Sequence, residues 1–217
     1  MGKRGRKPLG RVKCVWSANM AYAVGLIATD GCLLGNGKNV TFVSKDLAQI
    51  ETFLRCIRFS CKIAKKSNGL SKEKKYYYVQ VLDVLFWRWL ESLGLHPHKS
   101  KTLGPLKVPL QYQADFLRGC FDGDGCICAV RDKRWRSSWY VTASFASGSP
   151  NFLSWLQKRN RKLFGINGYI GKSTRVWNLR YHKRETSLLM RAMYYKPNLP
   201  HLERKRAKYL AICKIDR

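Results

Sequence analysis

The chain has 217 residues, 45% of them hydrophobic and 12% aromatic, and carries 42 Lys+Arg against 13 Asp+Glu, a formal net charge of +29. So much apolar surface demands a packed core and excludes a disordered polyelectrolyte, so the positive charge must coat a folded surface and calls for a polyanion, with nucleic acid the natural partner. No run of 18 or more apolar residues appears, and the basic N-terminus lacks an apolar signal core, which excludes a spanning helix and predicts a soluble intracellular protein.

Taken in chain order, residues 1–13 form a basic arm around KRGRKP, in the style of arms that enter a narrow minor groove; a nuclear address or a plain basic tail fits equally. A small-residue helical run, AVGLIATDGCL, stops at Asp30-Gly31. A strand pair over about 31–44 follows, then a helix opened by Ser44 or Asp46 with Ile50, Phe53, Leu54 and Ile57 at helical spacing. The next strand pair has KYYYVQVL as its expected outer strand, and the helix DVLFWRWLESLG ends at Gly94. Residues 97–112, with prolines that forbid continuation, read as a linker between a first half over 14–96 and a second over 113–217.

The second half repeats the order. LRGCFDGDGCI ends at Asp124-Gly125, 94 residues after Asp30. Strands over about 126–147 lead to the helix NFLSWLQKRNRKLFG, opened by Ser149 or Pro150 and closed by Gly165. Strands at GYIGK and RVWNLRYH, a helix around ETSLLMRAMYY and a final basic helix LERKRAKYLAICK complete the chain. The pattern is a tandem α+β pseudo-repeat, not a solenoid. None of the eight cysteines forms a CxxC pair, so small buried thiols are expected rather than zinc or disulfides.

The repeated motif carries the chemistry. Ala21, Gly25 and Ala28 in one copy, and Gly119 and Gly123 in the other, put small side chains on one helical face, so two such helices can pack backbone to backbone. Both would then end side by side, bringing Asp30 and Asp124 together where each helix also presents unsatisfied carbonyls. Two carboxylates at two negative helix ends favour a divalent cation, Mg²⁺ best of all. A single Asp-Gly is most simply a helix cap and turn; two copies opening equivalent halves are not. A calcium loop at DGDGCICAVRDK fails, because Ile127 stands where the loop needs Gly and Lys133 where it needs Glu.

AVGLIATDG and LRGCFDGDG resemble the two signature helices of the LAGLIDADG homing endonucleases in their single-chain form, and the resemblance spans essentially the whole chain. It implies an α/β fold of α+β type, with two pseudo-symmetric αββαββα halves forming a saddle with two antiparallel sheets. The implied activity is sequence-specific double-strand DNA cleavage by a metal-dependent endonuclease of the kind used in intron homing. Mg²⁺ is the implied cofactor, with Mn²⁺ or another divalent metal able to substitute. By the resemblance Asp30 and Asp124 bind the metals, and Thr29 and Gly123 lend backbone carbonyls. Lys99 and Lys205 stand as the basic residues beside the two sites, with Lys107 a competitor for Lys99. Ser44, Lys45 and Ser147 fall where the family places supporting polar groups. At the sixth motif position the copies differ, Ala28 against Asp122, a position variable and noncatalytic in the family.

The DNA-binding residues expected on the strands are Lys38, Asn39 and Thr41 in the first half, with Lys45 beyond it, and Arg134, Arg136, Ser138 and Tyr140 in the second. Their alternating polar and aromatic character could present one face to base edges, with Arg reading guanine and Asn adenine, or half of them could only touch phosphates; the expectation is a groove face without a base code. The expected partner is duplex DNA spanning roughly two helical turns, bound by a monomer because both halves already lie in one chain. A non-cleaving nucleic-acid binder of the same fold, an RNA splicing maturase or a regulator, is the alternative, with a basic ribosomal protein behind it.

Overall fold

The computed structural model describes residues 10–67, 75–131 and 138–215; most of the basic arm, and both Arg134 and Arg136, lie outside the described residues. Two helices form its axis. Helix α1 (Ala18–Thr29) opens at Ser17, whose hydroxyl accepts from the Met20 N–H at 3.1 Å, and it is buried on every side from Met20 to Ala28. A helix apolar all round belongs at a centre rather than on a surface.

In the first half, α1 is followed by strands β1 (Gly31–Leu33) and β2 (Asn39–Ser44), helix α2 (Leu47–Ile57), strands β3 (Ala64–Lys66) and β4 (Tyr76–Leu82), and helix α3 (Val84–Ser92). Helix α4 (Gln113–Asp124) begins the second half. Strands β5 (Gly125–Arg131) and β6 (Trp139–Ser147), helix α5 (Pro150–Phe164), strands β7 (Tyr169–Lys172) and β8 (Trp177–His182), and helices α6 (Lys183–Met193) and α7 (Glu203–Ile215) complete it. Between the halves the expected linker makes two short 3-10 turns, Lys99–Lys101 and Leu110–Tyr112.

Each half builds one antiparallel four-stranded sheet, ordered β1-β2-β4-β3 and β5-β6-β8-β7. The strand KYYYVQVL is therefore an inner strand and not the outer one. Tyr77, Val79 and Val81 alternate toward the core while both its edges are paired, and the three-residue β3, carrying Lys65 and Lys66, takes the edge. Short charged strands suit an edge because they do not invite further pairing. Val40, Phe42, Val79 and Val81 bury one face of the first sheet; Val141, Ala143, Leu179 and Tyr181 do so in the second. The opposite face of each sheet is open.

Local signals end the helices as the residues demand. Asp83 accepts from the Phe86 N–H at 2.9 Å to start α3, Ser149 starts α5, and Gly165 closes α5 in the left-handed conformation. Gly94, at φ +105°, follows α3. The thiols depart from expectation: all eight cysteines are free, but Cys32, Cys126 and Cys213 are exposed, and strand alternation turns the first two outward. Among the described residues no helix is long and apolar enough to cross a membrane.

Candidate catalytic centre between the paired helices

The α1–α4 contact puts two acids at one point. Gly25 and Gly119 let the backbones meet, and farther along, a Cβ on Gly123 would fall 2.0 Å from the Thr29 hydroxyl and 3.2 Å from the Asp30 carboxylate. Asp30 caps α1 and Asp124 ends α4, so both carboxylates emerge from adjacent negative helix ends, open to solvent on one side. Burial of the surrounding floor, then the charge of Asp124, pushes the Asp30 carboxyl up to about 6 against the pull of Lys205, Lys99 and Arg204. Burial also raises Asp124, opposed by the same two lysines.

The two lysines take equivalent places. Lys99 is 6% exposed and its ammonium donates to the Gly31 carbonyl at 2.7 Å; Lys205 is 8% exposed and donates to the carbonyls of Phe121, Gly123 and Gly125 at 2.6, 2.8 and 2.7 Å. Each lysine thus grips the glycine that follows its acid. Burial lowers both, Lys205 to about 8. Lys107 is exposed, and its N–H donates to the Leu93 carbonyl at 2.9 Å, in the linker. The geometry thereby brings Lys99, not Lys107, to the acids. It also shows the Gly123 carbonyl already accepting from Lys205, and the Thr29 hydroxyl turned back onto the Gly25 and Leu26 carbonyls.

A cleft of about 270 Å³ opens beside Asp30, lined by Ser44, Lys45, Asp46, Gln49, Gly123 and Arg204 among others. Ser44 donates to Gln49 at 2.6 Å, and Gln49 donates to the Asp122 carbonyl at 3.0 Å, which ties the first half to the second beneath the cleft. Arg204 pairs with Asp46 at 3.0 Å across the halves. Gln49 and Arg204 were not anticipated. Their signal lay in position: Gln49 sits five residues after Ser44, and Arg204 adjoins Lys205.

The open sheet faces make a candidate nucleic-acid interface. Thr41 lies on that face of the first sheet, its hydroxyl donating to the Cys32 carbonyl at 3.4 Å; Lys38, just before β2, and Ser138, just before β6, are exposed. Lys45 stands over the Tyr76 ring, 5.3 Å from its centroid. Tyr140 hydrogen-bonds His182 at 2.9 Å. Asn39 is buried, with its side-chain oxygen unpartnered, and does not present its amide to a base. Two matching rows cross these faces, and of their residues only Thr41 was anticipated. Cys32, Thr41 and Gln80 run across the first sheet, and Cys126, Ser144 and Arg180 across the second. The period-2 alternation of RVWNLRYH, with Leu179 and Tyr181 inward, already turns Arg180 outward.

No protein-family model and no curated protein sequence matches the chain. Solved structures share its fold. The homing endonuclease I-WcaI bound to its DNA recognition sequence matches with a TM-score of 0.64 at 14% identity, over 89% of this chain and 88% of that one. The homing endonuclease I-DmoI in complex with DNA and Mn matches at 0.52 and 13%, over 82% and 97%. The N-terminal LAGLIDADG domain of DUF199/WhiA matches at 0.55 and 15%, over 87% and 88%. At these identities the likeness establishes the LAGLIDADG fold.

Proposed function

We propose that this chain, which has the LAGLIDADG fold, is a sequence-specific, metal-dependent endonuclease that cuts both strands of duplex DNA. The observation that carries the reading is the pairing of two acids at adjacent helix ends, each backed by a buried lysine on the next glycine carbonyl. A net charge of +29 supplies the affinity for the phosphate backbone.

The acids fit a divalent cation. Burial and mutual charge make the ionised pair unfavourable by itself, a penalty that bound positive charge would remove. Among the described residues no group of three or more His, Cys, Asp or Glu could hold a metal, so Asp30 and Asp124 would share Mg²⁺ or Mn²⁺ with water and phosphate oxygens. When bound, the metal polarises the scissile phosphate and stabilises the leaving oxygen.

The protein's residues do the rest. Lys99 and Lys205 hold positive charge behind the acids and favour their ionised forms. Lys205 spends all three ammonium protons on carbonyls, so its contribution is electrostatic unless one of those bonds is released to an attacking water. The cleft with Lys45, Gln49 and Arg204 takes the DNA backbone beside Asp30. The halves over 14–96 and 113–217 each cover about one helical turn, and a monomer suffices.

A second reading keeps the fold without cutting: a nucleic-acid-binding regulator or maturase. The fold is shared with the N-terminal LAGLIDADG domain of DUF199/WhiA as well as with homing endonucleases, so the fold by itself does not select cutting. Incubating the protein with a randomised duplex library and Mg²⁺, then sequencing the new ends, separates the two. One long consistent cut site supports the endonuclease; specific retention without cutting supports the binder.

A further inference from the structure

Asp122 stands where the first half has Ala28. It is 1% exposed, and one carboxylate oxygen accepts from both the Tyr22 hydroxyl at 2.8 Å and the Leu202 N–H at 2.7 Å. Leu202 is the residue from which α7 springs, since its carbonyl accepts from the N–H groups of Lys205 and Arg206. A carboxylate at that end opposes the positive pole of the helix and satisfies a donor that would otherwise be stranded. Three residues on is Lys205.

We propose that Asp122 is a positioning residue for Lys205, docking the start of α7 onto the paired helices so that the ammonium reaches the carbonyls around Asp124. Arg118 reinforces the same approach. It is fully buried, donates to the Met193 and Pro200 carbonyls at 2.7 and 2.8 Å, and pairs with Asp115 at 2.7 Å, so it fixes the segment that leads into α7. Lys99 is held differently. Its turn packs on the other half, where Ser149 donates to the Leu103 carbonyl at 2.6 Å, and Ala28 contributes no acceptor. The two motif copies therefore differ because the two lysines arrive on different supports: one on a terminal helix needing an anchor, the other inside a linker tied at both ends.

Amine acylation of the full chain, read lysine by lysine by mass spectrometry, tests this without reference to activity. Asp122→Ala is expected to raise the acylation rate of Lys205 about tenfold, the loosening set by loss of a charge-assisted hydrogen bond, with Lys99 as the unchanged internal reference. Asp122→Asn, which keeps an acceptor, restores protection to within about twofold. Asp122→Leu fills the volume without an acceptor and should behave as the alanine variant does. Equal rises at both lysines, or none at Lys205, overturn the proposal. In the wild type the Leu202 amide should resist hydrogen exchange; exchange at the rate of an exposed amide overturns it with no variant at all.

The consequence for cleavage rests on the endonuclease reading. Asp122→Ala should slow, by up to about 100-fold, the strand that Lys205→Ala slows, and spare the strand that Lys99→Ala slows. Equal slowing of both strands contradicts the positioning role. If the wild type cuts neither strand, the endonuclease reading fails while the acylation result still decides the role of Asp122.

Discussion

Gly25 and Gly119 face each other across the α1–α4 contact so closely that a Cβ on either would lie 3.0 Å from the other's Cα. The same Cβ atoms would meet the Phe116 and Tyr22 carbonyl oxygens at 2.2 and 2.1 Å. Backbone cannot yield as a flexible side chain can. Gly119→Ala should therefore cost at least about 3 kcal/mol of stability, the upper range for overpacking. Gly35→Ala, with nothing within 4 Å, should change it by less than about 0.5 kcal/mol. Urea midpoints with unchanged slopes check both.

The raised carboxyl of Asp30 has a definite sign. Its folded pKa of about 6 exceeds the ordinary 3.8, so the folded state holds the proton more tightly and the group's contribution to stability is lost as pH rises through that window. At pH 7 Asp30→Asn should melt higher than wild type in the absence of metal, with the difference vanishing below about pH 4. Mg²⁺ should raise the wild-type melting temperature above pH 6 and leave the Asp30→Asn, Asp124→Asn double variant unmoved. Melting curves over pH 4 to 8, with and without MgCl₂, supply the check.

Lys205 shifts the other way. Burial lowers it to about 8 from 10.5, so its buried charge disfavours the fold below pH 8 and that cost is relieved as pH rises toward 10.5. Acting as a cation, it should support cleavage of its strand up to about pH 8, with the rate falling above. A rate on that strand that climbs through pH 8 would make it a base instead. Strand-resolved nicking across pH 7 to 10 decides.

Gln80 and Arg180 occupy matching rows of the two open faces, two residues of sheet past each acid. Arg suits guanine and Gln suits adenine, so the two half-sites should differ at that symmetric position. Arg180→Ala should relax one target position at a cost of about 1–3 kcal/mol, whereas Lys45→Ala should weaken all targets alike and reduce the salt slope by about 1. Binding to a panel of single-position target variants at several salt concentrations tests the contrast.

The order of elements and the meeting of Asp30 with Asp124 were legible because both rest on local periodicity and on a repeated motif. The choice of Lys99 over Lys107 was not, since either could reach the site until the 3-10 turn buried one of them against Gly31. The place of KYYYVQVL inside its sheet was also hidden. Strand order is set by which edges pair, and alternation along one strand does not encode that. Asn39 looked like a base reader from the alternating character of its strand, and that alternation does set it on the face of Thr41, but its side chain is buried there, which alternation alone does not encode. Gln49 and Arg204 act through contacts across the two halves, which no spacing within one half reveals.

The most direct test of the central claim is strand-resolved cleavage, in Mg²⁺, of the target recovered from the randomised library. Wild type would be compared with Asp30→Asn and Asp124→Asn, each confirmed to bind that target. Wild type should cut both strands, and each variant should bind normally but lose cleavage. Undiminished cutting by either variant would remove the paired acids from the chemistry.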